Sequence, residues 1–293
     1  MQNKINTIKK KTDEIIKKIG VTKQLSASSI QPEPKVSVII PTYNRPVQLK
    51  ETIESVLDQT YKNFEILVIN DAGQDVSSLI KSFNDQRIKY FFHKKNKGLA
   101  GARNTGLNNA SGQYISFLDD DDIFYPNHLQ TLVAAIQNNP YKVVYADAYR
   151  CIQKKENDTY VTAKKELQYS LDYSQRILLI MNIAPVQCFL FDRTLLDGET
   201  LFDESLTTHE DWEFWIKLSI ISDFLHIKEV TSEYRHRVDN TNMVTTKLPD
   251  FLRTMKIIYD RHSNSVMGHN EILAHQKRRI LELEEQIRKE SED

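Results

Sequence analysis

Short apolar runs alternate with amphipathic segments along the chain from about residue 36 to residue 150. Runs of this kind, rich in Val, Ile and Phe, are typical of strands buried on both faces of a sheet. The predicted strands are Val36–Pro41, Phe64–Asp71, Ile88–His93, Tyr114–Leu118 and Val143–Arg150. The predicted helices are Pro46–Leu57, Asp75–Phe83, Leu99–Asn109 and Pro126–Asn138. This alternation predicts an α/β fold in which right-handed crossovers build a mostly parallel central sheet flanked by helices.

The pattern is less regular in the second half of the chain. The polar stretch Lys154–Glu166 predicts a hairpin or a loop, Ser174–Met181 a helix and Gln187–Phe191 a strand. The clearest helical segment of this half is Glu210–Ile221. The segment Asp239–Thr246 is polar and without periodicity, which makes it a candidate lid loop.

Both ends of the chain predict helices outside the α/β region. An apolar stripe near the N-terminus is surrounded by lysines and precedes a linker that Pro32 and Pro34 keep out of a helix. The stripe consists of Ile5, Ile8, Ile15 and Ile19. This helix either docks on protein, its own domain or a second subunit, or lies on an anionic membrane surface, and both interpretations stay open.

The tail from about Leu248 also predicts helix. Leu273, Ile280 and Ile287 recur every seven residues, which is a weak indication of self-association because two heptads do not define a coiled coil.

Composition narrows the class of protein. The 293 residues carry 39 Lys plus Arg against 40 Asp plus Glu, a balance that argues against a protein built to coat nucleic acid. Cys151 and Cys188 are too few for a disulfide framework and suit a reducing compartment. The polar segment that begins at Met1 lacks the apolar core typical of a signal peptide, and no run approaches the roughly 18 apolar residues of a membrane span. We therefore expect a cytoplasmic protein.

Four carboxylates, Asp119–Asp122, follow directly after the apolar run that begins at Tyr114. An isolated acidic run is usually a solvated turn, since adjacent acids repel one another. Here the run follows a strand, and ligands of open α/β sheets bind at the carboxyl ends of strands. Carboxylate oxygens are ligands that Mg²⁺ and Mn²⁺ prefer, and these cations often hold a substrate diphosphate. We therefore predict a divalent cation at this edge.

Polar loops also follow the first three predicted strands, at residues 42–45, 70–73 and 96–104. Gly98 and Gly101 allow backbone to approach a ligand closely, and Arg103 supplies a charge for a phosphate group. The spacing matches neither the dinucleotide motif G-x-G-x-x-G nor the phosphate loop that ends in Gly-Lys-Ser/Thr. Neither a dehydrogenase nor a P-loop ATPase is favoured.

Five motifs together resemble those of inverting family-2 glycosyltransferases, and they occur in that family's order between about residues 35 and 240. They are Val36–Arg45 (VSVIIPTYNR), Ile69–Asp71 (IND), Gly98–Gly106 (GLAGARNTG), Phe117–Asp122 (FLDDDD) and Glu210–Trp212 (EDW). The resemblance implies the GT-A fold. It places a transferase domain at residues 35–246, and the residue patterns at either end add an N-terminal helix and linker (1–34) and a helical tail (247–293). Within the domain, residues 35–125 would bind the nucleotide and 126–246 the acceptor.

The resemblance assigns roles on the donor side. Thr42, Tyr43 and Arg45 would lie along the nucleotide, Asp71 would bond its base, and Arg103 would help to hold the nucleotide or its diphosphate. Asp119–Asp121 matches the family's Asp-x-Asp motif, which would place Asp120 at the ribose and Asp121, with Asp119 beside it, at Mn²⁺ or Mg²⁺. The extra Asp122 leaves this register open by one residue.

The resemblance also assigns roles around the acceptor. Asp211 would take the acceptor proton, with Glu210 beside it. A structural alternative is a capping box of Thr208 and Asp211 at the helix start. Trp212 is a candidate for stacking on an acceptor sugar, whereas Trp215 is expected in the core.

Residues 233–242 resemble the family's Tyr-Arg-x-His segment with a shift of one position, so that either His236 or Arg237 would act on the diphosphate. The plain alternative is an exposed basic turn.

These expectations add up to a metal-dependent inverting transfer from a nucleotide-sugar, with UDP-sugar the commonest donor in enzymes of this kind, to a glycan, lipid-linked or other hydroxyl acceptor. Two alternatives remain open at this point: a sugar-phosphate nucleotidyltransferase, and a non-catalytic binding protein on the same fold.

Overall fold

The computed structural model describes residues 33–157, 159–198, 200–237 and 248–292. Its strands are β1 (Val36–Thr42), β2 (Phe64–Asn70), β3 (Ile88–Phe92), β4 (Tyr114–Phe117), β5 (Ile123–Phe124), β6 (Val143–Glu156), β7 (Thr159–Tyr169), β8 (Phe189–Asp192) and β9 (Phe224–Arg237). Its α-helices are α1 (Pro46–Leu57), α2 (Ser77–Ser82), α3 (Gly98–Asn109), α4 (His128–Gln137), α5 (Gln175–Leu178), α6 (Glu210–Ile221), α7 (Leu248–Arg261) and α8 (Asn270–Glu292). Short 3₁₀ turns lie at Val186–Cys188, Arg193–Leu195 and Ser263–Val266.

The strands form one mixed sheet in the order β3-β2-β1-β4-β8-β6-β9-β5, with β7 beside β6. The pairings among β1, β2, β3 and β4 are parallel, as is the pairing of β6 with β9. The pairings of β8 with β4 and β6, of β7 with β6 and of β5 with β9 are antiparallel. The predicted α/β architecture with flanking helices is confirmed, and the parallel arrangement covers the first four strands rather than the whole sheet.

Strand β1 shows how the sequence pattern becomes two hydrophobic layers. Its side chains alternate between the faces of the sheet. Val36, Val38 and Ile40 pack with α1 and α4, whereas Ile39 packs on the opposite face with residues of α3 and α6. Gly106 of α3 permits this second contact, because a Cβ atom there would lie 2.3 Å from Cγ2 of Ile39. The helix therefore lies close against β1 and brings its N-terminus to the carboxyl end of the strands.

The second half of the chain differs most from the prediction. The polar stretch at Lys154–Glu166 forms a hairpin between β6 and β7, one of the two predicted alternatives. The long strand β9 was missed, because its residues Lys228 and Glu229 are polar and exposed and the buried residues that follow, Thr231–Glu233, are polar as well. The predicted helix and linker of residues 1–34 fall outside the described residues except for their last two positions, and the loop Asp239–Thr246 does so entirely.

The tail is helical, as expected, and its helices pack on the α/β region. The Tyr259 hydroxyl donates to the Ile180 carbonyl at 2.6 Å, and the Gln276 amide donates to the Leu179 carbonyl at 2.8 Å. Leu273 and Ile280 pack against the protein's own core, which gives the heptad stripe an intramolecular role. Among the described residues, no helix is both long enough and apolar enough to cross a bilayer.

Candidate active site

A cavity of about 460 Å³ opens at the carboxyl ends of β1, β2 and β4. It brings together the polar loops that the sequence places after separate strands. The predicted residues on its wall are Thr42, Tyr43, Arg45, Asp71, Gly98, Asp119, Asp120 and Asp121, joined by Glu204 and Thr207 from the second half of the chain. Tyr43 is half exposed, so its ring is available to a bound molecule. Convergence of loops on one edge is the general position for ligands in open α/β sheets.

The structure separates the four acids of the loop after β4. Asp119, Asp120 and Asp121 face the cavity. Asp122 instead turns inward, where its Oδ1 accepts from the Arg235 backbone N–H at 2.8 Å and its carbonyl accepts from the Thr52 hydroxyl at 2.9 Å. This arrangement supports the register in which Asp119–Asp121 is the functional triplet and Asp122 anchors the loop.

Arginines neutralise much of the acidic charge. Arg45 Nη1 donates to Asp120 at 3.1 Å and to Asp121 at 2.9 Å, and Arg237 Nη1 donates to Asp121 at 3.0 Å. Arg103 Nη2 donates to Asp119 at 2.7 Å. The expectation that a cation alone offsets the repulsion between these acids was too narrow, because three arginines from distant positions contribute as well.

The loop is nevertheless crowded with charge. Burial, followed by the charge of Asp121, raises the pKa of Asp120 to about 7, although Arg45 and the Thr42 hydroxyl act in the opposite direction. Burial likewise raises the pKa of Asp121 against the lowering effect of Arg45 and Arg237. Desolvated carboxylates favour the uncharged form unless more positive charge is supplied. The arrangement is therefore suited to a further cation.

A divalent metal fits this set of oxygen ligands. Among the described residues, no group of three or more His, Cys, Asp or Glu side chains is placed to hold a metal alone. Mg²⁺ and similar ions do not need such a group, because one or two carboxylates and the substrate phosphates are sufficient. Asp119 and Asp121 provide two carboxylates on the cavity wall, and the Asp119 side chain is 29% exposed.

Asp71 organises the loop before α3. Its Oδ1 accepts from the Lys97 backbone N–H at 2.8 Å and its Oδ2 from the Gly98 N–H at 2.8 Å. His93 Nδ1 lies 2.7 Å from Oδ1. Gly98 has a φ of +78°, a conformation that side chains with a Cβ rarely adopt. Asp71 thus shapes the wall of the cavity, and its contact with a nucleotide base stays a prediction.

Asp211 lies in the first turn of α6 and is half-buried. Its Oδ2 accepts from the Asn182 side-chain amide at 2.9 Å, and its Oδ1 accepts from the Trp212 backbone N–H at 2.7 Å. The capping box is not formed, since the Thr208 hydroxyl bonds instead to the Thr254 hydroxyl at 2.6 Å. Burial, followed by the charge of Glu210, raises the pKa of Asp211 to about 7, and Arg103 opposes this shift. Such a carboxylate is poised to exchange a proton near neutral pH.

Arg103 connects the two groups of acids. The side chain is 2% exposed and also donates, through Nη1, to Glu210 Oε1 at 2.5 Å. Glu210, placed on the acceptor side by the sequence analysis, is therefore a partner of this arginine, next to Asp211. One buried guanidinium thus fixes the loop after β4 relative to the start of α6. A direct contact of Arg103 with the nucleotide stays a prediction.

Trp212 does not occupy the position expected for a sugar-stacking residue. The side chain is 2% exposed, and its indole N–H donates to the Leu178 carbonyl at 2.6 Å. The stacking hypothesis was wrong because the first turn of α6 faces the core at this position. Trp215 is fully buried, as expected, and stacks on Phe189 with ring centroids 4.0 Å apart.

The end of β9 carries His236 and Arg237, the two residues predicted as alternatives for contact with the diphosphate. Arg237 is 3% exposed and reaches Asp121, whereas His236, the neighbouring residue of the same strand, points to the opposite face. Arg237 is therefore the residue placed at the acidic loop, and the exposed basic turn does not describe it. Both residues lie in a strand rather than in a turn.

Sequence reasoning missed three residues that support the site. His93 bridges Asp71 and the Thr105 hydroxyl, the second contact measuring 2.9 Å. Asn182 holds Asp211. Thr254 of α7 contacts both Thr208 and His209 just before α6. The strand end at His93 carried a weak signal, but the other two lie far away in sequence in segments without a motif.

Solved structures share the fold, including two with a sugar nucleotide bound. S. aureus TarS 1-349 in complex with UDP-GlcNAc matches with a TM-score of 0.63 and 22% sequence identity, over 76% of this chain and 65% of that chain. The mannosyltransferase PcManGT from Pyrobaculum calidifontis, in complex with GDP-Man and Mn²⁺, matches with a TM-score of 0.57 and 17% identity, over 76% and 62%. At these identities the likeness concerns the fold, and it confirms the expected GT-A architecture.

Sequence relatives give the family. An uncharacterized glycosyltransferase from Rickettsia bellii is 38% identical over 220 residues, or 74% of this chain, but this chain spans only 31% of that protein. The UDP-Glc:α-D-GlcNAc-diphosphoundecaprenol β-1,3-glucosyltransferase WfgD from Escherichia coli is 32% identical over 231 residues, covering 77% of this chain and 85% of that protein. The model of glycosyl transferase family 2 matches residues 37–198. The chain belongs to glycosyl transferase family 2.

Proposed function

We propose that this glycosyltransferase moves a sugar from a UDP-sugar to a hydroxyl group of a lipid-linked saccharide, with inversion at the anomeric carbon. The observation that carries the proposal is the position of Asp211, a half-buried carboxylate whose pKa burial raises to about 7 and whose neighbour Glu210 is joined by Arg103 to the acidic cavity. The donor class follows the names of WfgD and of the UDP-GlcNAc complex of TarS. The acceptor class follows the name of WfgD.

The chemistry is a single displacement. The acceptor oxygen forms a bond to the anomeric carbon while the bond from that carbon to the diphosphate oxygen breaks. The acceptor proton passes to a carboxylate oxygen of Asp211, and UDP departs with the bonding electron pair. The pKa of about 7 keeps a useful fraction of Asp211 ionised at neutral pH while retaining affinity for the proton.

On the donor side, the residues of the cavity bind and orient. Tyr43 offers an exposed ring to the base, and Asp120, held by Thr42 and Arg45, faces the ribose. Asp119 and Asp121 would hold Mn²⁺ or Mg²⁺, which supplies positive charge to the leaving diphosphate when bound. Arg237 and Arg45 supply charge from the protein itself.

The substitution Asp211→Asn tests the proposal. It keeps the size of the side chain and one acceptor oxygen, which can serve either Asn182 or the Trp212 backbone N–H, but it removes the proton acceptor. We expect calorimetric affinity for UDP with Mn²⁺ to stay within about twofold of wild type, and transfer to fall by at least about 10²-fold, the range of general-base catalysis. Asp203→Asn, at an exposed ion pair with Arg261, is the matched control for loss of one carboxylate. Full transfer by Asp211→Asn would refute the assignment of the base.

The nucleotidyltransferase alternative makes a different prediction, namely release of pyrophosphate from UTP and a sugar phosphate. Membership of glycosyl transferase family 2 favours sugar transfer instead. Donor hydrolysis in the presence of Mn²⁺ without acceptor would further argue against a purely binding protein.

A further inference from the structure

One face of the sheet carries a row of aromatic and basic side chains that the donor cavity does not use. Tyr169 packs against the hydrophobic core that contains Trp212 and Trp215 of α6. Its ring meets that of Tyr234 edge to face, with centroids 5.7 Å apart. Arg150 is the direct cross-strand partner of Tyr234 in the pairing of β6 with β9. Side chains of partner residues lie on the same face, so the row runs outward from α6.

Arg150 is the basic member of this row. It is half-buried, and it forms no ion pair within the part of the chain that the structure describes. Its acidic cross-strand neighbour Glu166 is bonded by Lys164, and the charge of Arg150 acts on Glu166 only as a weaker influence. Arg237, by contrast, lies on the other face of β9 and reaches the acidic loop of the donor cavity. The two arginines therefore serve different sides of the sheet.

Packing relates the row to the start of α6, because Tyr169 lies against the core that also holds Trp212, the residue next to the proposed base. Burial raises the pKa of the Tyr169 hydroxyl to about 12; Arg150 opposes this shift, and Cys188, Asp122 and, least of all, Asp211 add to it. The charges of Arg150 and Asp211 therefore both act on Tyr169. An acceptor whose hydroxyl meets Asp211 would extend along this face, past the two tyrosines and towards Arg150.

We propose that Tyr169, Tyr234 and Arg150 form the subsite for an acceptor sugar that carries a phosphate or diphosphate group. The tyrosine rings contact the sugar, and the guanidinium of Arg150 binds the phosphate oxygens. Arginine suits this role because its planar guanidinium donates two parallel hydrogen bonds to phosphate. The inference rests on the proposed function, since Asp211 fixes the end of the acceptor that reacts.

The test compares two acceptor ligands on the full chain saturated with UDP and Mn²⁺, so that the donor site is filled. One ligand is N-acetylglucosaminyl diphosphate with an undecyl chain, and the other is the undecyl N-acetylglucosaminide without the diphosphate. We expect wild type to bind the diphosphate ligand at least about tenfold more tightly, a factor equal to about 1.4 kcal/mol. We expect the Arg150→Gln variant to lose this preference, while its affinity for the ligand without the diphosphate stays within about twofold of the wild-type affinity.

Two controls make the result specific. Arg150→Lys keeps the charge and retains part of the preference, and Arg278→Gln, at an exposed position of α8, retains all of it. If wild type binds both ligands equally, or if Arg150→Gln keeps the preference, the subsite is wrong. Donor hydrolysis measured on the same samples separates this failure from failure of the proposed function, because hydrolysis depends on the donor cavity and not on Arg150.

Discussion

Arg103→Met removes the buried guanidinium that bridges the two acidic groups while keeping an unbranched side chain. It leaves Glu210, whose side chain is 8% exposed, and Asp119, whose side chain is 29% exposed, without their ion-pair partner. Loss of one partner of a buried ion pair costs about 3–5 kcal/mol. Since Asp119 can regain water, we expect about 3 kcal/mol, near the lower end of that range.

Urea denaturation at pH 7.5 measures this change, and a thermal scan should show a melting temperature lower by about 6–12 °C for a chain of this size. Arg87→Met is the matched control, because Arg87 pairs with Asp85 at the surface with side chains 34% and 23% exposed. That pair should contribute at most about 1 kcal/mol. The double variant Arg103→Met/Glu210→Gln should recover part of the loss, because it removes the unpaired buried charge. Equal losses for Arg103→Met and Arg87→Met would refute the bridging role.

Two further outcomes follow from the start of α6. The raised pKa of Asp211 means that the folded chain binds more protons than the unfolded chain between about pH 4 and pH 7. The contribution of Asp211 to stability is therefore present below about pH 4 and is lost as pH rises towards 7. In urea titrations without metal, the free energy of unfolding of wild type should fall relative to that of Asp211→Asn between pH 5 and pH 8. Parallel plots of the two free energies against pH would contradict this. Thr254→Val removes the hydroxyl that contacts Thr208 and His209, at 2.6 Å and 2.9 Å, and should lower kcat by about tenfold or more with the KM for the donor unchanged. Thr254→Ser should restore kcat. Thr231→Val, which loses a buried hydroxyl contact with His128, should lower stability without changing kcat. An equal loss of kcat in both valine variants would show that the effect of Thr254→Val is merely structural.

The elements of the first half were predictable from sequence because each depends on local patterns. Strands β1, β2 and β4 are fully buried runs, and such runs are recognisable without knowledge of their partners. In the second half, β9 is exposed at Lys228 and Glu229 and buried at Thr231–Glu233, a pattern set by neighbours from distant parts of the chain. The antiparallel insertion of β8 between β4 and β6 likewise depends on tertiary contacts.

The candidate site shows the same division. Motifs made the acidic loop and Asp211 candidates because those residues sit at fixed positions after a strand or at a helix start. They did not show that Arg45, Arg103 and Arg237 form ion pairs with these acids. Arg45 precedes α1, Arg103 lies in α3 and Arg237 ends β9, 116 positions after its partner Asp121. Trp212 was misassigned because the direction of its side chain is decided by the packing of α6 against Leu178 and the core.

The account rests most heavily on the cavity acids holding a donor diphosphate through a divalent cation. Isothermal titration of UDP into wild type and Asp121→Asn, each with Mn²⁺ and with EDTA, tests this directly. We expect Mn²⁺ to strengthen UDP binding to wild type by at least about tenfold, which is about 1.4 kcal/mol, and to have no effect on Asp121→Asn. Equal UDP affinity of wild type with and without Mn²⁺, or an undiminished effect of Mn²⁺ on Asp121→Asn, would contradict the account.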